Sequence, residues 1–83
     1  MESHPLNVSV VAPQGVLFEG KAQRVIMPGE SGTFEILNNH KPIVSRLLPG
    51  DLMVDNQTIP ILRGVARIMH NQVVAIVEIE QDG

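Results

Sequence analysis

The 83-residue chain predicts an all-β fold: a single β-sandwich or closed, flattened barrel of roughly nine short strands. Three observations lead there. Six prolines and seven glycines cut the chain so finely that most intervals are too short for a helix of ordinary length. Seven of the sixteen residues at 65–80, the one long interval, are Val or Ile, whose stiff branched side chains favour strand over helix. Elsewhere apolar residues recur at period two. Apolar residues make up 43% of the chain, more than one isolated sheet with a wet face could bury.

In chain order, Leu6, Val8 and Val10 alternate with Asn7, Ser9 and Val11, giving a strand with one core face. Val16-Leu17-Phe18 supplies a second strand and residues 24–27 a third. Phe34 and Ile36 alternate with Thr33 and Glu35 in a fourth. Residues 43–48, 52–54 and 58–62 follow. Pro60 demotes the last of these to an edge or a bulge, because proline cannot donate to a ladder. Asn71-Gln72 parts the long interval into two apolar stretches and reads as a hairpin turn. There is no internal repeat, low-complexity tract or linker, so residues 1–83 form one domain.

Composition narrows the function. The net charge of −3 disfavours a binder of phosphate backbones, which needs a basic face. With no cysteine there is neither a disulfide framework nor a Cys-based metal site. No apolar run approaches the ~18 residues of a membrane-spanning helix. The opening Met-Glu-Ser-His-Pro lacks the basic and apolar regions of a signal peptide. A soluble, cytosolic domain is expected.

No motif points to independent catalysis. His4, His40 and His70 stand at no metal-ligand spacing and read as scattered histidines. None of Ser3, Ser9, Ser31 and Ser45 lies in Gly-x-Ser-x-Gly, and no phosphate-binding loop is present. Phe18 and Phe34 sit at strand positions where core is the ordinary role. No cofactor is expected. The segment that stands out is Pro28-Gly29-Glu30-Ser31-Gly32, then Thr33-Phe34-Glu35-Ile36-Leu37, then Asn38-Asn39-His40-Lys41-Pro42. It reads as a tight turn, a strand and a polar turn ending at proline. These are two ordinary hairpin loops or two polar loops meant for a partner, and pattern alone does not choose.

The stretch from Leu6-Asn7-Val8-Ser9-Val10 through Pro13-Gln14-Gly15-Val16-Leu17-Phe18-Glu19-Gly20 resembles the opening of the epsilon subunit of F-type ATP synthases. Arg24-Val25-Ile26-Met27-Pro28-Gly29, Gly32-Thr33-Phe34 and Ile36-Leu37-Asn38-Asn39-His40-Lys41-Pro42 follow in register. Leu48-Pro49-Gly50-Asp51-Leu52, Gly64-Val65-Ala66-Arg67-Ile68 and Asn71-Gln72-Val73-Val74-Ala75-Ile76-Val77-Glu78 are similar to the later strands of that family. The resemblance implies a sandwich of about ten strands and a non-catalytic role in the central stalk. There the subunit fastens gamma to the c-ring on the cytoplasmic face of the inner (plasma) membrane, coupling ion flow to ATP synthesis without entering the bilayer. It implies that Glu30, Ser31, Gly32, Thr33 and His40 face the ring, and that Ala12, His40 and Ser45 lie against gamma.

The chain departs from the family pattern at several places, among them a connection at Asp55-Asn56-Gln57-Thr58 that is short for the family. Glu35 and Asn38 stand where Gly and Pro are common, and Arg63-Gly64 where many members have Gly-Gly. Many members also carry a helical hairpin that restrains hydrolysis and in some binds ATP; the end at Gly83 leads to the expectation of neither. The competing readings are a lipoyl- or biotin-type carrier modified at Lys21, in Gly20-Lys21-Ala22, and a β-sandwich adaptor that pairs an edge strand with a peptide.

Overall fold

The computed structural model describes residues 5–37 and 41–81. Among them are nine strands and no helix. The strands are β1 (Leu6–Ala12), β2 (Gly15–Ala22), β3 (Val25–Gly29), β4 (Gly32–Ile36), β5 (Ile43–Leu47), β6 (Gly50–Val54), β7 (Gln57–Ile61), β8 (Arg63–Met69) and β9 (Gln72–Glu78). The all-β expectation holds, and the nine strands of the described residues agree with the roughly nine read from the residues, against the about ten that the resemblance implies.

The strands form one continuous sheet in the order β2-β1-β9-β8-β5-β3-β6-β7, with β4 paired to β3. The sheet curls on itself because β3 changes partner along its length. Val25 and Ile26 pair with Val54 and Met53 of β6, whereas Gly29 pairs with Leu47 of β5. The corner is closed by the Leu48 N–H, which donates to the Pro28 carbonyl at 2.8 Å. Antiparallel neighbours dominate, and the exception is β1 beside β9, a parallel pair running from Asn7↔Gln72 to Val11↔Ile76.

The inner faces of the two halves meet in one apolar core. Leu6, Val8 and Val10 of β1, Val73, Ala75 and Val77 of β9, and Ala66 and Ile68 of β8 are buried against Val25, Met27, Leu52, Val54, Ile36 and Ile61. No polar or charged residue is buried among those described, so the core needs no internal hydrogen bonds beyond its ladders. The first strand buries the face its alternation predicts. Pro60 lies on β7, which ends the sheet path, where a missing N–H leaves no donor unmet in the sheet.

Several boundaries move from their expected places. The last hairpin turns at His70-Asn71, one residue earlier than read, with Met69 opposite Gln72. His70 takes φ 57°, the positive sign that primed two-residue turns require. The second strand is longer than Val16-Leu17-Phe18 because pairing with β1 runs on to Leu6↔Ala22. A register shift between Val10 and Val11 leaves Leu17 and Phe18 both half-buried, which a strict period of two would not allow.

Candidate functional site

The turn at Glu30-Ser31 joins β3 to β4 as a two-residue hairpin, with Gly29 opposite Gly32. Glu30, Ser31, Gly32 and Thr33 are all exposed. The two glycines are needed for different reasons. Gly32 has φ 117°, a backbone conformation open to glycine and strained for other residues. Gly29 is buried, and a Cβ there would stand 2.6 Å from Phe34 Cε1, so the Phe34 ring lies directly over its backbone. The turn is thus held by the core below it while its polar tip faces outward. The Glu30 carboxylate stands 4.0 Å from the Arg46 guanidinium of β5, a loose and exposed pair.

Beside this turn runs a groove of about 800 Å³, lined in part by Glu30, Leu48, Arg63, Gly64, Val77 and Glu78. Its floor is apolar. Its rim carries the Arg46–Glu30 pair and a tighter one in which Arg63 Nε donates to Glu78 Oε1 at 2.8 Å. Leu48 and Leu62 are exposed near it, whereas Leu47, which its sequence neighbours would suggest as part of the same patch, is buried. The alternation of β5 turns Leu47 inward with Ile43.

The other predicted contact residues fall elsewhere. Ala12 ends β1 opposite Gly15 and packs, half-buried, on the core. Ser45 pairs with Ala66 on the half-buried side of β5, and its Oγ donates to the Arg46 carbonyl at 3.0 Å. Strands β9 and β8 stand between them, so the structure does not bring Ala12 and Ser45 together. His40 lies outside the described residues, as does Asn38. The other departure sites have acquired partners: Glu35 meets Arg24 at 3.4 Å, and Arg63 meets Glu78.

Two further features bear on what the surface can do. Lys21 lies within the β1–β2 ladder opposite Asn7, not at a hairpin tip where a carrier lysine must reach its enzymes. Among the described residues no group of three or more His, Cys, Asp or Glu is placed to hold a metal ion.

The outward face of β5, β8 and β9 was not singled out from the sequence. It carries Val44, Val65, Met69, Val74 and Ile76, all exposed. The signal was present in Gln72-Val73-Val74-Ala75-Ile76-Val77: a strand apolar at consecutive positions is the pattern of one covered on both faces.

Three kinds of comparison agree on the relatives. Residues 5–80 match the family described as the ATP synthase Delta/Epsilon chain, β-sandwich domain. The ATP synthase epsilon chain of a Nitratiruptor species is 33% identical over 78 residues, covering 88% of this chain and 60% of that one. That of Gloeobacter violaceus is 36% identical over 72 residues, 82% of this chain and 54% of that one. That of Leptospira borgpetersenii serovar Hardjo-bovis is 43% identical over 54 residues, 65% and 42% respectively. The chain therefore spans about half the length of the curated relatives it matches.

Among solved structures, the fold superposes on a chain of the Tetrahymena thermophila mitochondrial ATP synthase central stalk and c-ring, with a TM-score of 0.74 at 16% identity. That match covers 94% of this chain and 66% of the other. It also superposes on a chain of the Euglena gracilis mitochondrial ATP synthase (OSCP/F1/c-ring) at 0.81 and 15%, covering 93% and 53%. With the family match spanning nearly every described residue, the chain belongs to the β-sandwich domain family of ATP synthase delta and epsilon chains.

Proposed function

We propose that this protein is a non-catalytic rotor subunit of an F-type ATP synthase, seated at the foot of the central stalk. It fastens the gamma subunit to the c-ring, so that ion flow through the ring turns the stalk and drives ATP synthesis elsewhere in the complex. The observation that carries this reading is the family match across residues 5–80. Supporting it, the described fold superposes on chains from central stalk and c-ring assemblies. The protein works peripherally, on the cytoplasmic face of the membrane.

In this reading the exposed turn of Glu30, Ser31, Gly32 and Thr33 meets the polar loops of the ring, and His40 belongs to the same foot. Ala12, His40 and Ser45 border the gamma contact. A curled sheet suits a mechanical part: its ladder hydrogen bonds resist shear, and its turns present contacts on a rigid base. The carrier reading is disfavoured by the place of Lys21 in mid-strand.

The test is purification of the native complex through a tag on this chain, with intact masses measured for everything that follows. Gamma together with the alpha and beta subunits is the expected company. Elution alone, or with a multienzyme complex, would overturn the reading.

A further inference from the structure

Strand β2 has eight residues, more than any other described strand, and it ends the sheet path. Edges of that length are ordinarily shortened, bent or interrupted by proline, because their unpaired backbone groups invite another strand. The opposite end of the path, β7, has five residues and carries Pro60. In β2 the register shift lies opposite Val10 and Val11, and residues 18–22 pair regularly with β1. Glu19, Gly20 and Lys21 are exposed. The direction of their backbone groups follows from β1. The Asn7 N–H donates to the Asn71 carbonyl at 2.7 Å, on the β9 side. Leu6, Val8 and Val10 therefore turn their backbone groups to β2, where they meet Ala22, Gly20 and Phe18. Glu19 and Lys21, lying between these, direct theirs to the free edge.

We infer that β2 is the edge on which a second copy of this chain docks, the two β2 strands running antiparallel about a two-fold axis at Gly20. Each Glu19 then stands opposite the Lys21 of the other copy, and both pairs exchange backbone hydrogen bonds. Opposed residues point to one face of a sheet, so carboxylate meets ammonium twice. At the axis the two Gly20 residues form the close pair, with Cα atoms about 4.5 Å apart, and bring no side chain there. Phe18, whose ring lies 3.8 Å from where a Gly20 Cβ would stand, is set opposite the small Ala22. The new ladder stops there, because the Gln23 N–H is taken by Asp55 Oδ1 at 2.9 Å.

Charge selects both the occupant and the register. An axis at Glu19 would set the two Glu19 carboxylates together, and an axis at Lys21 the two ammonium groups. Like charges directly opposite are unfavourable. Of these three placements the axis at Gly20 alone matches opposite signs, which makes the strand complementary to itself, as a two-fold interface requires. Neither Glu19 nor Lys21 has an ion-pair partner among the described residues, so both charges are free for this contact. An edge of one sign would repel its own copy; alternation of sign attracts it. The inference concerns the free chain and goes beyond the stalk reading, on which it does not rest.

The experiment is sedimentation of the free chain at low salt. Pairing five residues a side buries less than the about 1,200 Å² of a lasting complex, so association is weak and concentrations should span about 10 μM to 1 mM. The wild-type chain is expected to pass from monomer to dimer over that range. Glu19→Lys and Lys21→Glu should each weaken the dimer roughly tenfold or more, since each sets like charges opposite twice. An equimolar mixture of the two variants restores both pairs and should associate as the wild type does, as should one chain carrying both substitutions. Both side chains are exposed, so thermal unfolding of the variants should stay near that of the parent. A wild-type chain that is monomeric throughout would overturn the inference, as would a dimer indifferent to the charge reversals. A dimer lost on Ile76→Asp but kept by Glu19→Lys would lie on the outward face of β5, β8 and β9, and would overturn it too.

Discussion

Asp55 and Arg24 are joined twice. The Arg24 N–H donates to Asp55 Oδ1 at 3.1 Å, and the Asp55 N–H donates to the Arg24 carbonyl, also at 3.1 Å. The same Oδ1 accepts from the Gln23 N–H at 2.9 Å. Asp55 itself takes φ 51° in the β6–β7 turn, a conformation that Asp and Asn tolerate better than most residues. One carboxylate thereby ties the β2–β3 corner to a hairpin 31 residues away and satisfies two backbone donors that no strand could pair.

Asp55→Ala should therefore destabilise the domain by about 1–3 kcal/mol, read as a lower urea midpoint at unchanged slope. Asp55→Asn keeps an acceptor and the backbone preference, and should lose less than half as much. Equal losses for the two substitutions would show that the hydrogen bonds contribute little.

Glycines 64 and 32 should fail for opposite reasons. A Cβ on Gly64 would stand 2.5 Å from the Ile76 carbonyl oxygen and 2.9 Å from Val77 Cγ1, so β8 and β9 would have to part. Gly64→Ala is expected to cost about 1–3 kcal/mol through overpacking. Around Gly32 nothing lies within 4 Å, and Gly32→Ala should cost about 1–3 kcal/mol through backbone strain alone. Thermal unfolding measures both. Val77→Ala should rescue neither loss, because the tightest contact of the added Cβ is the Ile76 backbone carbonyl and truncating the buried Val77 opens a cavity of its own.

Glu30→Lys tests the ring contact. The side chain is exposed and its pairing with Arg46 is loose, so the fold should be unaffected within about 0.5 kcal/mol. A polar contact at a rim typically contributes about 0.2–1 kcal/mol and is screened by salt. Ion-driven ATP synthesis in inverted membrane vesicles should fall modestly, with an altered dependence on ionic strength. Unchanged synthesis and unchanged salt dependence would remove Glu30 from the coupling contact.

Ala12→Trp should abolish co-purification with gamma, because an indole at the end of β1 would hold the partner away. Ala12 also touches the core, so the free variant's unfolding must be measured alongside. A stable variant that still binds gamma would move the contact away from the end of β1.

Much of the fold could be read locally. The β-branched interval at 65–80, the alternation at Leu6, Val8 and Val10, and the demotion of the strand holding Pro60 are statements about sterics and period within a few residues, and they hold in the structure. The exposed turn at Glu30-Ser31 belongs with them, since its glycines mark it. Its support was not legible, because Phe34 over Gly29 depends on a side chain crossing to the neighbouring strand.

Other features were settled by tertiary structure alone. The parallel pairing of β1 with β9 joins segments more than 60 residues apart, and no local pattern encodes it. Ser45 turns to the half-buried side of β5 because Leu47 and Ile43 must face the core. Arg63 finds Glu78, and Arg24 finds Glu35 and Asp55, only once the sheet has curled. Period two determines that a strand has two distinct faces, and branched side chains determine that it is a strand. Which face turns inward, and which charge is left without a partner, follows from what the rest of the chain brings alongside.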